Sequence, residues 1–205
     1  MQLWLKALGA MAVGILLPGS NLAAACADSG PAVTIRSTST TEYFALSGRT
    51  REALWHELNG AGNPLNALYR NQGTALGHAG VEYRYRYQPA FGSSPSSCRI
   101  ASADIELRFT TVLPELADGT VSDLLARQWP RFQETIAEHE AGHHAIYRDL
   151  LSQIPAALQQ LEEASCAELD QRISLTINAV VDAVRQRSRD YDQGYDSGRY
   201  VAAAF

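Results

Sequence analysis

The most constraining stretch of this chain is a single helical stripe that carries two histidines one turn apart. From Pro130 to about Ile154 the apolar residues recur at helical spacing, and Phe132, Ile136, His139, His143, Tyr147 and Leu150 fall on one face. Inside it stands His139-Glu140-Ala141-Gly142-His143, the pattern H-E-x-x-H. Residues four apart share a helix face, so both imidazoles can reach one ion. Two neutral imidazoles turned toward a core need polar partners, and a shared metal supplies them. His139 and His143 are therefore the candidate metal ligands and Zn2+ the expected cofactor. Glu140 is the candidate catalytic base, one step off the His axis and beside the open metal position. Gly142 lies in the helix interior, where Gly costs about 1 kcal/mol relative to Ala, which suits a closely packed neighbour that the sequence does not name.

A catalytic zinc site takes a third protein ligand. Glu163, twenty residues beyond His143, is one candidate, and Asp192 and Asp196 in the tail are others. Among the remaining histidines, His144 points about 100° away from His143 and is read as a supporting or surface residue, and His56 and His78 each stand alone and are read as structural.

The N-terminus reads as an export signal. One basic residue, Lys6, precedes the uncharged apolar run Ala7–Leu17, which is followed by Pro18-Gly19-Ser20 and the small residues Ala23-Ala24-Ala25. The run is too short for a comfortable membrane span. The expectation is a signal peptide over 1–25 and one domain over 26–205, with cleavage after Ala25 or Ala27, or lipid attachment at Cys26 as an alternative. The expected location is periplasmic or secreted, with no integral membrane segment once the signal is removed. An oxidising compartment makes Cys98 and Cys166 the natural disulfide pair. The formal net charge of −5 argues against nucleic acid as a partner.

The body changes character near residue 115. Residues 32–46 read as extended, in one or two strands, and Thr50–Leu58 as a short capped helix. Val81–Tyr87 alternates Val and Tyr against Glu and Arg, and Ile105–Phe109 alternates likewise, which predicts a half-buried, mostly antiparallel sheet. Downstream, a first helix to about Gln128, a restart at Pro130 and a further helix over 156–187 are expected.

These features together resemble the bacterial "predicted secreted zinc-dependent protease" family, otherwise a domain of unknown function. The likeness runs from Tyr43-Phe44-Ala45-Leu46-Ser47-Gly48-Arg49-Thr50 through the strand at 81–87, Cys98, Leu113-Pro114, Trp129 and the H-E-x-x-H to Cys166. The family's later signature looks like Y-D-x-x-T-x-H-G. Tyr191, Asp192 and Gly198 match it, while Tyr195 replaces Thr and Ser197 replaces His. The resemblance implies an α+β, zincin-like fold, with a mostly antiparallel sheet, a metal-binding helix and a long supporting helix. It also implies hydrolysis of a peptide or protein substrate by metal-activated water, with Tyr191 or Tyr195 as a donor to the oxyanion. The family His would be the third ligand, and here either Asp192, Asp196 or Glu163 takes its place or the site is degraded. The rival expectation is a non-catalytic envelope binding or assembly protein that keeps the fold.

Overall fold

A computed structural model describes residues 31–61, 63–68, 75–119 and 121–194. The export signal, Cys26, Tyr195 and Asp196 lie outside the described residues. In chain order the elements are β1 (Ala32–Leu46), α1 (Arg51–Asn59), α2 (Pro64–Leu68), β2 (His78–Phe91), β3 (Cys98–Leu116), α3 (Asp123–Leu151), α4 (Ile154–Gln159), β4 (Glu162–Glu163) and α5 (Cys166–Gly194).

The architecture is α+β with a mixed sheet in the order β1-β3-β2 and β4 added to β3. β2 and β3 pair antiparallel, with Tyr83 opposite Leu107 and Val81 opposite Phe109. β1 pairs with β3 in parallel from Ala32 opposite Ser102 to Leu46 opposite Leu116, which corrects the expectation of a mostly antiparallel sheet. Alternation in β2 and β3 specifies which face is buried but carries no information on strand direction. Direction is set by the return of the chain through α1, α2 and β2 before β3.

Ala79, Val81, Tyr83, Ala103, Ile105, Leu107 and Phe109 turn inward, while Glu82, Arg84, Asp104, Glu106 and Arg108 face solvent. On the inner face this row meets Tyr147 and Leu151 of α3 and Leu169, Ile173, Ile177, Val181 and Val184 of α5. A second cluster gathers Phe44, Leu46, Leu54, Leu58, Trp129, Phe132 and Ile136. The metal-motif histidines belong to the stretch of α3 between Ile136 and Tyr147, where one core gives way to the other.

α3 does not restart at Pro130. It is one helix of 29 residues, opened by Ser122 Oγ accepting from the Leu125 N–H, with Pro130 inside it. Leu125, Trp129, Phe132 and Ile136 are buried on a stripe that continues across the proline, so packing holds the helix where local propensity would break it. The helix expected over 156–187 is instead α4, the short β4 and α5. The break places Glu163 opposite Cys98 on the sheet, and Cys98 and Cys166 form a disulfide with a Cα–Cα distance of 5.0 Å. That bridge ties the start of β3 to the start of α5, whose far end reaches the histidines.

Candidate metal centre

α3 and α5 build the site from opposite sides. α3 contributes His139 and His143 one turn apart, both buried. α5 carries its apolar stripe through Leu169, Ile173, Ile177, Val181 and Val184, and the next turn of that stripe is Ser188, also fully buried. Three and four residues further on the same face come Tyr191 and Asp192.

The donor atoms converge. His139 Nε2 and His143 Nε2 are 3.0 Å apart, and Asp192 Oδ1 lies 3.2 Å from the first and 2.9 Å from the second. Zinc–nitrogen and zinc–carboxylate bonds of about 2.0–2.2 Å in a tetrahedron require ligand atoms roughly 3.3–3.6 Å apart, so the triangle is close to one face of such a polyhedron. The donor set has the right chemistry as well. Burial pushes the His143 imidazole down, against the pull of Asp192, which favours the neutral ring that a metal needs. Burial works to raise the Asp192 carboxyl, but hydrogen bonds from His139 and His143 outweigh it and hold it at about 2, so it is anionic. Two imidazoles and a carboxylate brought this close together are a donor set that could hold a metal ion.

Each of the two histidines is held by a neighbour. Ser188 Oγ lies 2.8 Å from His143 Nδ1. With Nδ1–H donating to that hydroxyl, the Nε2 lone pair is left for a metal. The Tyr191 ring stacks on His139 at 5.0 Å between centroids and 24° between planes, and meets His143 edge-on at 4.9 Å. Its phenol lies against Gly142, where a Cβ would collide with the hydroxyl and the ring. This is the close neighbour that glycine in the helix interior called for, and it gives Tyr191 a packing role.

Glu140 follows His139 and is buried against the start of β2. Burial raises its carboxyl to about 8, with Asp192 adding to the effect and the Ala79 backbone N–H opposing it. Its Oε2 has no hydrogen-bond partner among the described residues. Gly77 backs the same carboxyl, and a Cβ there would stand 2.8 Å from Glu140 Oε1 and 2.5 Å from Ile136 Cγ2. Tyr147 donates to the Ala79 carbonyl at 3.1 Å, so α3 grips both backbone groups of that strand residue.

The structure thus unites His139, Glu140, His143 and Asp192 and excludes Glu163. Glu163 sits on β4, 3.0 Å from Arg172 Nε in an ion pair, at the opposite end of α5. His144 is buried with its ring edge-on to Phe109 at 5.4 Å, and His56 is exposed on α1. His78 opens β2, and burial, with His143 and His144 adding to it, lowers its imidazole to about 4. Ser188 and the Tyr191–Gly142 contact were not anticipated. The signal for Ser188 was a polar residue continuing the apolar i+4 rhythm of α5.

Fold and site define an α+β protein whose two long helices bring together a His/His/Asp group that could hold a metal ion, with a buried glutamate beside it. The chain belongs to a family described as "Bacterial protein of unknown function (DUF922)", whose model matches residues 41–198 and so spans the whole site. No curated protein and no solved structure matches the chain. A bacterial protein with a disulfide is consistent with an extracytoplasmic location, and no helix among the described residues is long and apolar enough to cross a membrane.

Proposed function

We propose that this chain is a zinc-dependent peptidase of zincin-like architecture, acting in the periplasm or outside the cell on peptide or protein substrates. The observation that carries the reading is the triangle of His139, His143 and Asp192 donor atoms with Glu140 adjoining it on α3. His139, His143 and Asp192 would hold the zinc, which would supply Lewis-acid polarisation of a scissile carbonyl and acidify water. Glu140 takes the proton from the attacking water and returns it to the leaving amine. Burial, with Asp192 adding to it, raises this carboxyl to about 8 and so keeps it protonated near neutral pH, and a cation held by the neighbouring donors would favour the anionic form that accepts a proton. Ser188 and Tyr191 keep the imidazoles aimed, and the disulfide anchors the helix that brings Asp192.

The rival reading is a non-catalytic envelope protein that keeps the centre as structure. It draws support from the closeness of the site, where His143 is fully buried and Glu140 is only 2% exposed. Glu140→Gln separates the two. It preserves size and hydrogen bonding while removing the base, so zinc content and thermal stability should stay near wild type while hydrolysis of an unfolded protein substrate falls by about 10²-fold or more. A wild-type protein that holds zinc yet cleaves nothing across a broad peptide library would transfer the conclusion to the binding protein. Equal cleavage by wild type and Glu140→Gln would remove Glu140 from the chemistry.

A further inference from the structure

Far from the metal centre, the middle of β1 is an unusual piece of sheet. Residues 36–43 are exposed on both faces, because the apolar clusters take in only Val33 and Ile35 near the beginning of β1 and Phe44 and Leu46 at its end. Among the described residues β1 pairs with β3 alone, so its outer edge presents unpaired backbone groups. Natural edge strands are protected by charged side chains, lysine above all, by proline, by bulges or by shortness. None of these occurs between Arg36 and Glu42, where the chain reads Ser37-Thr38-Ser39-Thr40-Thr41, and the register with β3 runs without a break for 15 residues. Such a strand is long and regular, carries the β-favouring Thr38, Thr40 and Thr41, and has one ladder where it could have two.

We propose that this edge is a dimerisation surface, on which a second copy of the chain pairs antiparallel with β1 about a two-fold axis through Ser39. The argument is charge complementarity of the strand with itself. β1 carries two charged residues, Arg36 and Glu42, each three positions from Ser39. An antiparallel pair centred on Ser39 sets Arg36 of each copy directly opposite Glu42 of the other, on the same face of the joint sheet, and does so twice. A shift of the register removes both pairs. On the other face the same register opposes Ile35 to Tyr43, an aliphatic side chain to a half-exposed aromatic ring. Arg36 Nη2 already holds Asp104 Oδ1 at 2.8 Å on the neighbouring strand. That bond fixes the guanidinium on the sheet surface and leaves its other donors for a carboxylate arriving from the far side. The product is one continuous sheet, β2-β3-β1 joined to β1-β3-β2, in which the β1 edge of each copy is covered and β2 remains at each end. A second copy is favoured over an unrelated peptide because the charges that flank the bare Ser/Thr segment are each other's partners.

The test is made on the exported full-length protein. Sedimentation velocity over a concentration series should show reversible dimerisation. Glu42→Arg sets two Arg–Arg contacts in place of two ion pairs and should weaken the dimer by about tenfold or more, while leaving zinc content and thermal stability unchanged. Opposed residues have Cβ atoms about 4.5–5.5 Å apart, so under mild oxidation Ser39→Cys should be trapped as a disulfide to its own counterpart, whereas Ser37→Cys, which faces Thr41, should not. A chain that sediments as a monomer throughout, a dimer indifferent to Glu42→Arg, or cross-linking through position 37 rather than 39 would each overturn the proposal.

Discussion

Ser188→Ala is the most informative single perturbation of the proposed metal centre, because it replaces none of the proposed ligands. Ser188 is fully buried on α5, and its hydroxyl is the partner of His143 Nδ1 at 2.8 Å. His143 itself is fully buried, so water cannot replace the lost oxygen. Leaving a buried N–H unpaired costs about 1–3 kcal/mol. The free protein escapes part of that penalty by letting His143 change tautomer, with the proton moving to Nε2. The metal-bound form cannot, because Nε2 must then offer its lone pair. The cost therefore falls mainly on binding, and a loss of about 10- to 100-fold in zinc affinity is expected, the range usual for residues that orient a ligand. Competition against a chromophoric chelator at neutral pH measures it, with circular dichroism confirming that the fold is retained. Zinc affinity within about twofold of wild type would refute the assignment, since a 1.4 kcal/mol effect is tenfold.

Two further outcomes follow from the same geometry. Gly142→Ala should lower the thermal midpoint and weaken zinc binding, although Ala is the better helix former by about 1 kcal/mol, because the new methyl collides with the Tyr191 phenol and overpacking of this kind costs about 1–3 kcal/mol; a gain in stability in a thermal melt would contradict the contact. Replacing Cys98 and Cys166 together by Ser should cost about 4 kcal/mol in urea unfolding, the chain-entropy value for a long loop, and an unchanged midpoint would show that the bridge does not constrain the unfolded chain.

Much of this was legible in the residues, and the unread parts have physical reasons. The faultless alternation of Val81–Tyr87 placed β2, and the H-E-x-x-H placed both histidines and Glu140, because helical and strand periods are local properties. The parallel pairing of β1 with β3 was not legible, since direction depends on the route of the chain rather than on any one strand. Pro130 was read as a helix start by local chemistry, and the buried stripe on both sides of it prevailed. The third ligand stayed open among three carboxylates because their separation in sequence says nothing about which end of α5 meets α3. The structure joins Asp192 to the histidines and pairs Glu163 with Arg172. Ser188 was hidden for the opposite reason, since a lone serine gives no signal until the stripe it extends is seen to end on His143.

The central claim is that His139, His143 and Asp192 form one metal centre, and elemental analysis of the purified exported protein tests it most directly. About one zinc per chain is expected for wild type, with near-complete loss in His139→Ala plus His143→Ala and a severe loss in Asp192→Ala, while Glu163→Ala retains the metal. A wild-type protein without bound metal, or one whose zinc survives Asp192→Ala undiminished, would contradict the account.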